Sequence, residues 1–435
     1  MSEQASFSVP NSAQADETTG RYIVTFRDNS VTEGVAALRD QAGIAGLLNA
    51  ADFPESALDL SQLDEVGGAV FPTLGVAVVS MDDEALSRVM SAAGEESAIL
   101  AVEPERVFYA LEVELQKDYL QGYRDAADHL YQKVATTAPH ETGNGAQPMA
   151  VFADDAQSTW GLKATKATTS RYTGRGIRVA VLDTGMDLNH PDFRGRSIVS
   201  QSFVPGEEVQ DGQGHGTHCI GTACGFKDLN GRRYGVAYES TIYVGKVLSN
   251  SGSGNGAWIL AGMEWAIANQ CQVISMSLGN TVPTPSTAYE TVGRRALENG
   301  CLIVAAAGNH RQQVSMPPGT VGQPANSPSI MSVAAIDSGL QLASFSATSG
   351  PDLGASVDIA APGVAVYSSV PMNKGRYASF RGTSMATPHV AGIAALYSQA
   401  YGVRGPLLWL YLIWTARRMP LPSADVGSGL AQSPQ

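Results

Sequence analysis

The stretch IRVAVLDTG, residues 177–185, decides the architecture of the chain around it. Arg178 apart, every residue before Asp183 is apolar, so no alternation separates an inner face from an outer one. A run of this kind, bounded by glycine, suits a strand buried on both faces, as in parallel sheets. The same texture recurs in TIYVGKVL (241–248), QVISMSLG (272–279), LIVAAAGN (302–309) and IMSVAAI (330–336). Helical segments lie between these runs, among them GAWILAGMEWAIAN (256–269) and AYETVGRRALENG (288–300). From about Trp160 onward the alternation predicts an α/β domain, doubly wound on a mainly parallel sheet. In such sheets chemistry collects at the carboxyl ends of the strands.

Two such ends, at Asp183 and Asn309, and two helix starts, at His215 and Ser384, carry reactive side chains. Asp183 closes the opening run; it either caps the next turn or orients an imidazole. DGQGHGTHCIGTACG (211–225) sets His215 between two glycines at the start of an apolar helix, with His218 three residues on. Local rules do not choose between the two histidines. CLIVAAAGN (301–309) ends in Asn309, a turn residue whose amide can also donate a hydrogen bond. In GTSMATPHVAG (382–392), Ser384 stands where a helix begins, with Pro388 in its first turns. Helix capping explains an isolated serine there. A serine hydroxyl becomes a nucleophile, however, when a base takes its proton. The base needs a carboxylate to fix its tautomer, and the developing oxyanion needs preorganised donors. All four parts occur, in the chain order Asp, His, Asn, Ser.

Bulk properties set the frame. A chain of 435 residues has room for two or three domains. Its net charge of −13 is uneven: residues 1–150 carry 24 acidic and 8 basic side chains, the remainder 17 and 20. An acidic N-terminal part argues against nucleic acid as its partner and permits attraction to the slightly basic remainder. Residues 1–20 lack a basic start and an apolar core, so they read as a disordered tail rather than a secretory leader. A cytoplasmic location is therefore expected, secretion being the alternative if a leader was trimmed or goes unrecognised. PLLWLYLIW (406–414) is too short to span a bilayer and is expected to be a buried helix. The four cysteines (Cys219, Cys224, Cys271, Cys301) have no metal-type spacing with histidine.

Residues 21–111 read as a small α+β unit, β-α-β-β-α-β, the ferredoxin-like order. RYIVTF alternates as a strand, VTEGVAALRDQAG and DDEALSRVMSAAG read as helices, and GGAVFPTLGVAVVSM supplies two short strands. ILAVEPERVFYAL is the last strand. Residues 112–135 form an amphipathic helix by pattern, with Leu111, Leu115, Tyr119, Tyr123, Ala127 and Tyr131 at four-residue steps. A polar linker follows to residue 150, and the catalytic domain is expected over 151–435.

On three blocks, VAVLDTGMDLNHPDF, GHGTHCIGTACG and GTSMATPHVAGIAAL, with VISMSLGN and VAAAGN beside them, the chain resembles the subtilisin-like serine proteases, or subtilases. The resemblance covers roughly residues 155–435. It implies Asp183 as the orienting carboxylate, His215 as general base and acid, and Ser384 as nucleophile. Asn309 and the Ser384 backbone N–H would form the oxyanion hole. His218 and His389 become structural. Substrate would add as an extended strand between one edge at Gly252, Ser253 and Gly254 and another at Ser277, Leu278 and Gly279. The first pocket would lie between that second edge and Ala305 to Gly308, including Ala306 and Gly308; these walls are uncharged, so an apolar or broad preference is expected. Cys219 matches a thiol that proteinase-K-like members carry beneath the imidazole, and Cys271 and Cys301 are expected as a reduced pair.

The unit at 21–111 resembles the family's inhibitory propeptide, which places Leu111 in the first pocket and Phe108 in the fourth. Cleavage after Leu111 is the expected autoprocessing step. Asp192 matches a calcium-ligating aspartate of many bacterial members, but the loop that supplies further ligands is missing. One carboxylate does not make a calcium site; Asp228 and Asn230 are the alternative ligands, turn roles are expected for them, and structural calcium is left as a doubtful alternative. No cofactor is expected for the chemistry. The expected partners are protein or peptide substrates and the chain's own propeptide, with no nucleic acid, no membrane and a monomeric state. A silent peptide-binding module and a maturase for a single precursor are the rival readings.

Overall fold

The computed structural model describes residues 17–111 and 151–435, apart from 45, 54–57, 59, 94–96, 313–318 and 352–353. The helix and linker expected at 112–150 lie outside the described residues, as does the tail before residue 17.

The N-terminal unit runs β1 (Thr18–Phe26), α1 (Val31–Ala42), β2 (Leu48–Asn49), α2 (Leu63–Val66), β3 (Gly68–Phe71), β4 (Val76–Val79), α3 (Asp83–Ala92) and β5 (Ile99–Ala110). β1 begins inside the stretch expected to be a tail, because Thr18 already pairs with Arg106. The helix starts follow local chemistry. Asp82 accepts a 2.7 Å bond from Ala85 N at the start of α3, with Asp83 and Glu84 in the first turn, where the helix dipole favours them. The sheet order β5-β1-β4-β3 is the ferredoxin-like one, with the two-residue β2 added parallel to β3 at the edge. Val24, Phe26, Leu38, Val79, Val89 and Ile99 form its separate apolar core between sheet and helices.

The larger part contains β6 (Arg178–Asp183), β7 (Ile198–Ser202), β8 (Thr241–Lys246), β9 (Ser253–Asn255), β10 (Val273–Met276), β11 (Leu278–Gly279), β12 (Leu302–Ala306), β13 (Met331–Ile336), β14 (Ile359–Pro362), β15 (Val366–Ser369) and β16 (Tyr377–Phe380). Its helices are α4 (Trp160–Ala164), α5 (His215–Cys224), α6 (Gly256–Ala268), α7 (Thr287–Glu298), α8 (Thr383–Tyr401), α9 (Gly405–Thr415) and α10 (Ser423–Val426). Seven strands make one sheet in the order β14-β13-β12-β10-β6-β8-β7. Every neighbouring pair is parallel. The doubly wound sheet expected from the apolar runs is therefore the one observed. Strand order reverses at β6, so the carboxyl end of β6 is the switch point at which such sheets hold their ligands. Two apolar clusters, one on each face, bury β10 and β12 from both sides.

The expected burial of 406–414 is corrected. The helix forms as α9, but only Gly405, Leu408 and Leu412 are buried, while Leu407, Leu410 and Trp414 are exposed. Apolar composition signals burial only when something covers the second face, and α9 packs its inner face against α7, α8 and β12.

Strand β5 joins the two parts. Its first half pairs antiparallel with β1. Its last residues enter a cleft between β9 and β11: Phe108 opposes Gly254, Tyr109 opposes both Ser253 and Gly279, and Ala110 opposes Leu278.

Candidate active site

Asp183 ends β6 at the switch point. One carboxylate oxygen accepts from Thr184 N at 2.7 Å, and Nδ1 of His215 donates to the two oxygens at 2.8 and 3.0 Å. His215 is the first residue of α5 and is fully buried. Its turn is held by Asp211, which the sequence reading missed. This buried carboxylate accepts from Thr184 Oγ1 (2.9 Å), Gly214 N (2.7 Å), Thr217 N (2.9 Å) and Thr217 Oγ1 (2.7 Å). The available signal was the Asp-Gly pair opening DGQGHG, a turn former that bonds its own downstream backbone. Lys246, also missed, is buried beneath the loop and donates from Nζ to Thr184 O at 2.7 Å.

Burial works against a charged imidazole at His215, but the adjacent Asp183 carboxylate outweighs it and holds the pKa well above 6.5. His218, left open beside His215 by local rules, is settled by distant partners. Its Nε2 donates to Val366 O at 2.9 Å and its ring stacks on Phe380 at 4.4 Å. Burial drives its pKa down to about 3. His389 bonds back to Met385 O at 2.8 Å within α8 and faces Gly161, and burial lowers its pKa to about 4.

Ser384 lies in the first turn of α8, just after Gly382 at φ 154°, a backbone angle that favours glycine. Pro388 has no N–H for the carbonyl of Ser384 four residues earlier, and this frees that oxygen. Ser277 Oγ donates to it at 2.8 Å, and the Cys219 thiol lies 3.6 Å away. The same sulfur sits 3.8 Å from His215 Nδ1, so the serine and the imidazole flank one thiol. Burial pushes that thiol up to about 11, leaving it a neutral packing group at ordinary pH. The Ser384 hydroxyl donates to Ser277 O at 3.0 Å, while His215 Nε2 has no hydrogen-bond partner among the described residues. His215 is thus paired with Asp183 through Nδ1, and its second nitrogen is unengaged.

The occupant of the cleft is the end of β5. Leu111 N–H donates to Ser277 O, the carbonyl that also receives the Ser384 hydroxyl. The Leu111 carbonyl accepts a 2.7 Å bond from Asn309 Nδ2. Asn309 is aimed by Thr383, whose N and Oγ1 each donate to its Oδ1 at 2.9 Å. Leu111 is buried against Gly279, where a Cβ would stand 3.1 Å from Leu111 Cδ1. On the other edge Gly252 O accepts from Ala110 N at 2.9 Å. Phe108 packs edge-on to Tyr289 with ring centroids 5.4 Å apart. Ala306 and Gly308 are buried on the strand and turn that lead to Asn309.

Two carboxylates of β5 fasten the N-terminal unit to helix starts. Glu103 accepts from Ser286 Oγ (3.1 Å), Thr287 N (3.1 Å) and Ala288 N (2.8 Å) at α7. Glu105 accepts from Ala257 N (2.6 Å) at α6 and from Arg21 Nε (2.7 Å).

Asp192 is engaged by protein donors, the hydroxyls of Tyr234 (2.7 Å) and Tyr377 (2.9 Å). Asp228 closes its own turn, accepting from Asn230 N and Arg232 N at 2.9 Å. Among the described residues the only set of His, Cys, Asp and Glu atoms close enough to share a metal is Asp183, His215 and Cys219. Its imidazole Nδ1 already bonds the carboxylate. Cys271 and Cys301 are buried free thiols.

A sequence model of the subtilase family matches residues 174–418. Subtilisin E of Bacillus subtilis (strain 168) is 41% identical over 285 residues, 65% of this chain and 66% of that protein. The subtilisin of Bacillus pumilus is 46% identical over 237 residues, 54% of this chain and 81% of that protein. Alkaline elastase YaB of Bacillus sp. (strain YaB) is 43% identical over 261 residues, 58% of this chain and 64% of that protein. The chain thus spans just under two thirds of the length of subtilisin E and of the elastase.

Proposed function

The chain belongs to the subtilase family, and from that premise we propose that it is a serine endopeptidase made as a self-inhibited zymogen. Ser384 attacks the substrate carbonyl and His215 takes its proton. Asp183 holds the imidazole by Nδ1 and stabilises the imidazolium that forms. Asn309, with the Ser384 N–H, stabilises the oxyanion. His215 then delivers the proton to the leaving amine, and water hydrolyses the acyl-enzyme.

The observation that carries this reading is the Leu111 carbonyl on Asn309 Nδ2, beside the serine and the assembled Asp183–His215 pair. A carbonyl held this way supports its reading as the scissile one, and the strand leading to it pairs with both β9 and β11. Residues up to Leu111 therefore act as the first substrate, cut after Leu111, and then as the inhibitor that fills the cleft. Protein and peptide substrates follow as extended strands, with an apolar residue at the first pocket.

A fluorophosphonate probe tests the reading directly. It is expected to label Ser384 alone, and only after residues 1–111 have left the cleft. Labelling elsewhere, or none after their removal, contradicts it. The silent-module alternative predicts no labelling.

Asn309→Ala is expected to lower kcat by about 10²- to 10³-fold with KM little changed, since the donor acts on developing charge. Thr383→Val, which frees the amide on one side, is expected to lower kcat by up to about tenfold. Steady-state kinetics on a soluble peptide amide check both.

Glu103→Ala and Glu105→Ala each remove charge-assisted bonds at a helix start, worth about 1.5–3 kcal/mol. Added back in trans, residues 1–111 carrying either change are expected to inhibit about 10- to 100-fold more weakly. Unchanged inhibition constants contradict the role given to these carboxylates.

A further inference from the structure

Helix α9 carries no charged side chain in GPLLWLYLIWT, yet it lies at the surface. Leu408 and Leu412 pack inward. Leu407, Leu410 and Trp414, at i, i+3 and i+7, form the opposite face and are 57%, 49% and 77% exposed. Tyr401, at the end of α8, extends this stripe: it is 52% exposed, and its ring stacks on Tyr411 at 5.0 Å. A contiguous exposed row of leucine and aromatic rings marks an interaction surface rather than chance exposure.

Charge indicates what covers it. Arg404 precedes the helix and Arg417 and Arg418 follow it, all exposed, and none makes an ion pair among the described residues. From Gln399 to Ala424 the sequence has no Asp or Glu. On the neighbouring α7, Glu298 is paired with Arg294 at 2.8 Å. An apolar, Trp-bearing stripe bracketed by unpaired arginines complements a surface that is apolar inside and anionic outside. A second copy of the chain would instead set these arginines against their own counterparts.

We infer that α9 is an interfacial lipid-contact surface, which seats the protein on anionic phospholipid bilayers. At 1.5 Å per residue an 11-residue helix reaches only about 16 Å, roughly half the hydrocarbon thickness. It therefore lies along the interface, with Leu407, Leu410 and Trp414 in the acyl boundary and the arginines among the headgroups. No helix of the described residues is long and apolar enough to cross a membrane, which accords with this shallow seat. The expectation of no membrane partner goes with a helix too short to span a bilayer; its exposed face is what brings a membrane surface in. The inference does not depend on proteolysis and stands or falls separately from it.

Vesicle sedimentation of the full chain, carrying Ser384→Ala to hold one covalent form, tests it. The chain is expected to sediment with vesicles of equal parts phosphatidylglycerol and phosphatidylcholine, and about tenfold or more weakly with phosphatidylcholine alone. Leu410→Asp and Trp414→Ser are each expected to weaken partition by about tenfold or more. The double change Arg417→Glu and Arg418→Glu should weaken it on the anionic vesicles and relieve the difference between the two lipids. In the Ser384-containing chain, Trp414→Ser should leave turnover of a soluble peptide unchanged, showing that the fold is intact should Leu410→Asp disturb it. Absence of partition onto anionic vesicles overturns the inference. So does a dimer in sedimentation equilibrium that Leu410→Asp dissociates, or partition indifferent to all three sets of changes.

Discussion

Replacing Ser384 by alanine is expected to lower turnover of a peptide amide by about 10⁴-fold or more, with substrate affinity nearly unchanged. The expectation rests on position. The hydroxyl shares the Ser277 carbonyl with Leu111 N–H, so it sits beside the residue whose carbonyl Asn309 holds. Removing one oxygen deletes the nucleophile and leaves both strand edges, Asn309 and the imidazole in place. Binding of residues 1–111 in trans should therefore survive the change. Persistent turnover in Ser384→Ala would transfer the chemistry to another group, and loss of binding instead of turnover would make the serine a structural residue.

Asp183→Asn carries the second large effect, a fall in kcat of about 10⁴-fold. The carboxylate can only accept from His215 Nδ1, and it thereby fixes the tautomer that leaves Nε2 free to take a proton. An amide in its place can present a donor to Nδ1 and reverse the tautomer. The pH dependence follows the same cause. With the cleft filled, burial opposes a charged imidazole but Asp183 prevails, so His215 keeps its proton to higher pH than an ordinary histidine. A general base must be neutral, so kcat is expected to rise with pH through that elevated value. In Asp183→Asn the attraction is gone and burial remains, so the residual activity should rise at lower pH than in the unaltered enzyme. A limb that stays in place would mean that the titration belongs to another group.

The apolar runs carried the α/β architecture because strands buried on both faces have nowhere to place polar side chains; IRVAVLD and LIVAAAGN read correctly for that reason. The same inference failed at PLLWLYLIW. Apolarity there reports what the helix prefers to touch, and its second face, Leu407, Leu410 and Trp414, stays exposed. The start of β1 was missed at Thr18 because its pairing with Arg106 is a contact across the whole unit, invisible in a polar stretch such as DETTGR.

In the site, the residue types were legible and the pairings were not. His215 and His218 stand three residues apart at one helix start, and local rules do not choose between them. What separates them is Asp183 on one side and Val366 and Phe380 on the other, brought from different segments by the fold. Asp211 escaped notice because its work is to hold backbone, a role that many surface aspartates in Asp-Gly turns share. Pro388 was legible as a tolerated proline, but the carbonyl it frees for Ser277 and Cys219 emerges only from packing.

The central claim, that Ser384 acts first on the carbonyl of Leu111, is tested most directly by intact mass and N-terminal sequencing of the chain after expression, beside Ser384→Ala. The account predicts two fragments divided between Leu111 and Glu112 in the unaltered protein, and one uncut chain in the variant. A new terminus within the linker up to residue 150, or the same cut in both proteins, would contradict it.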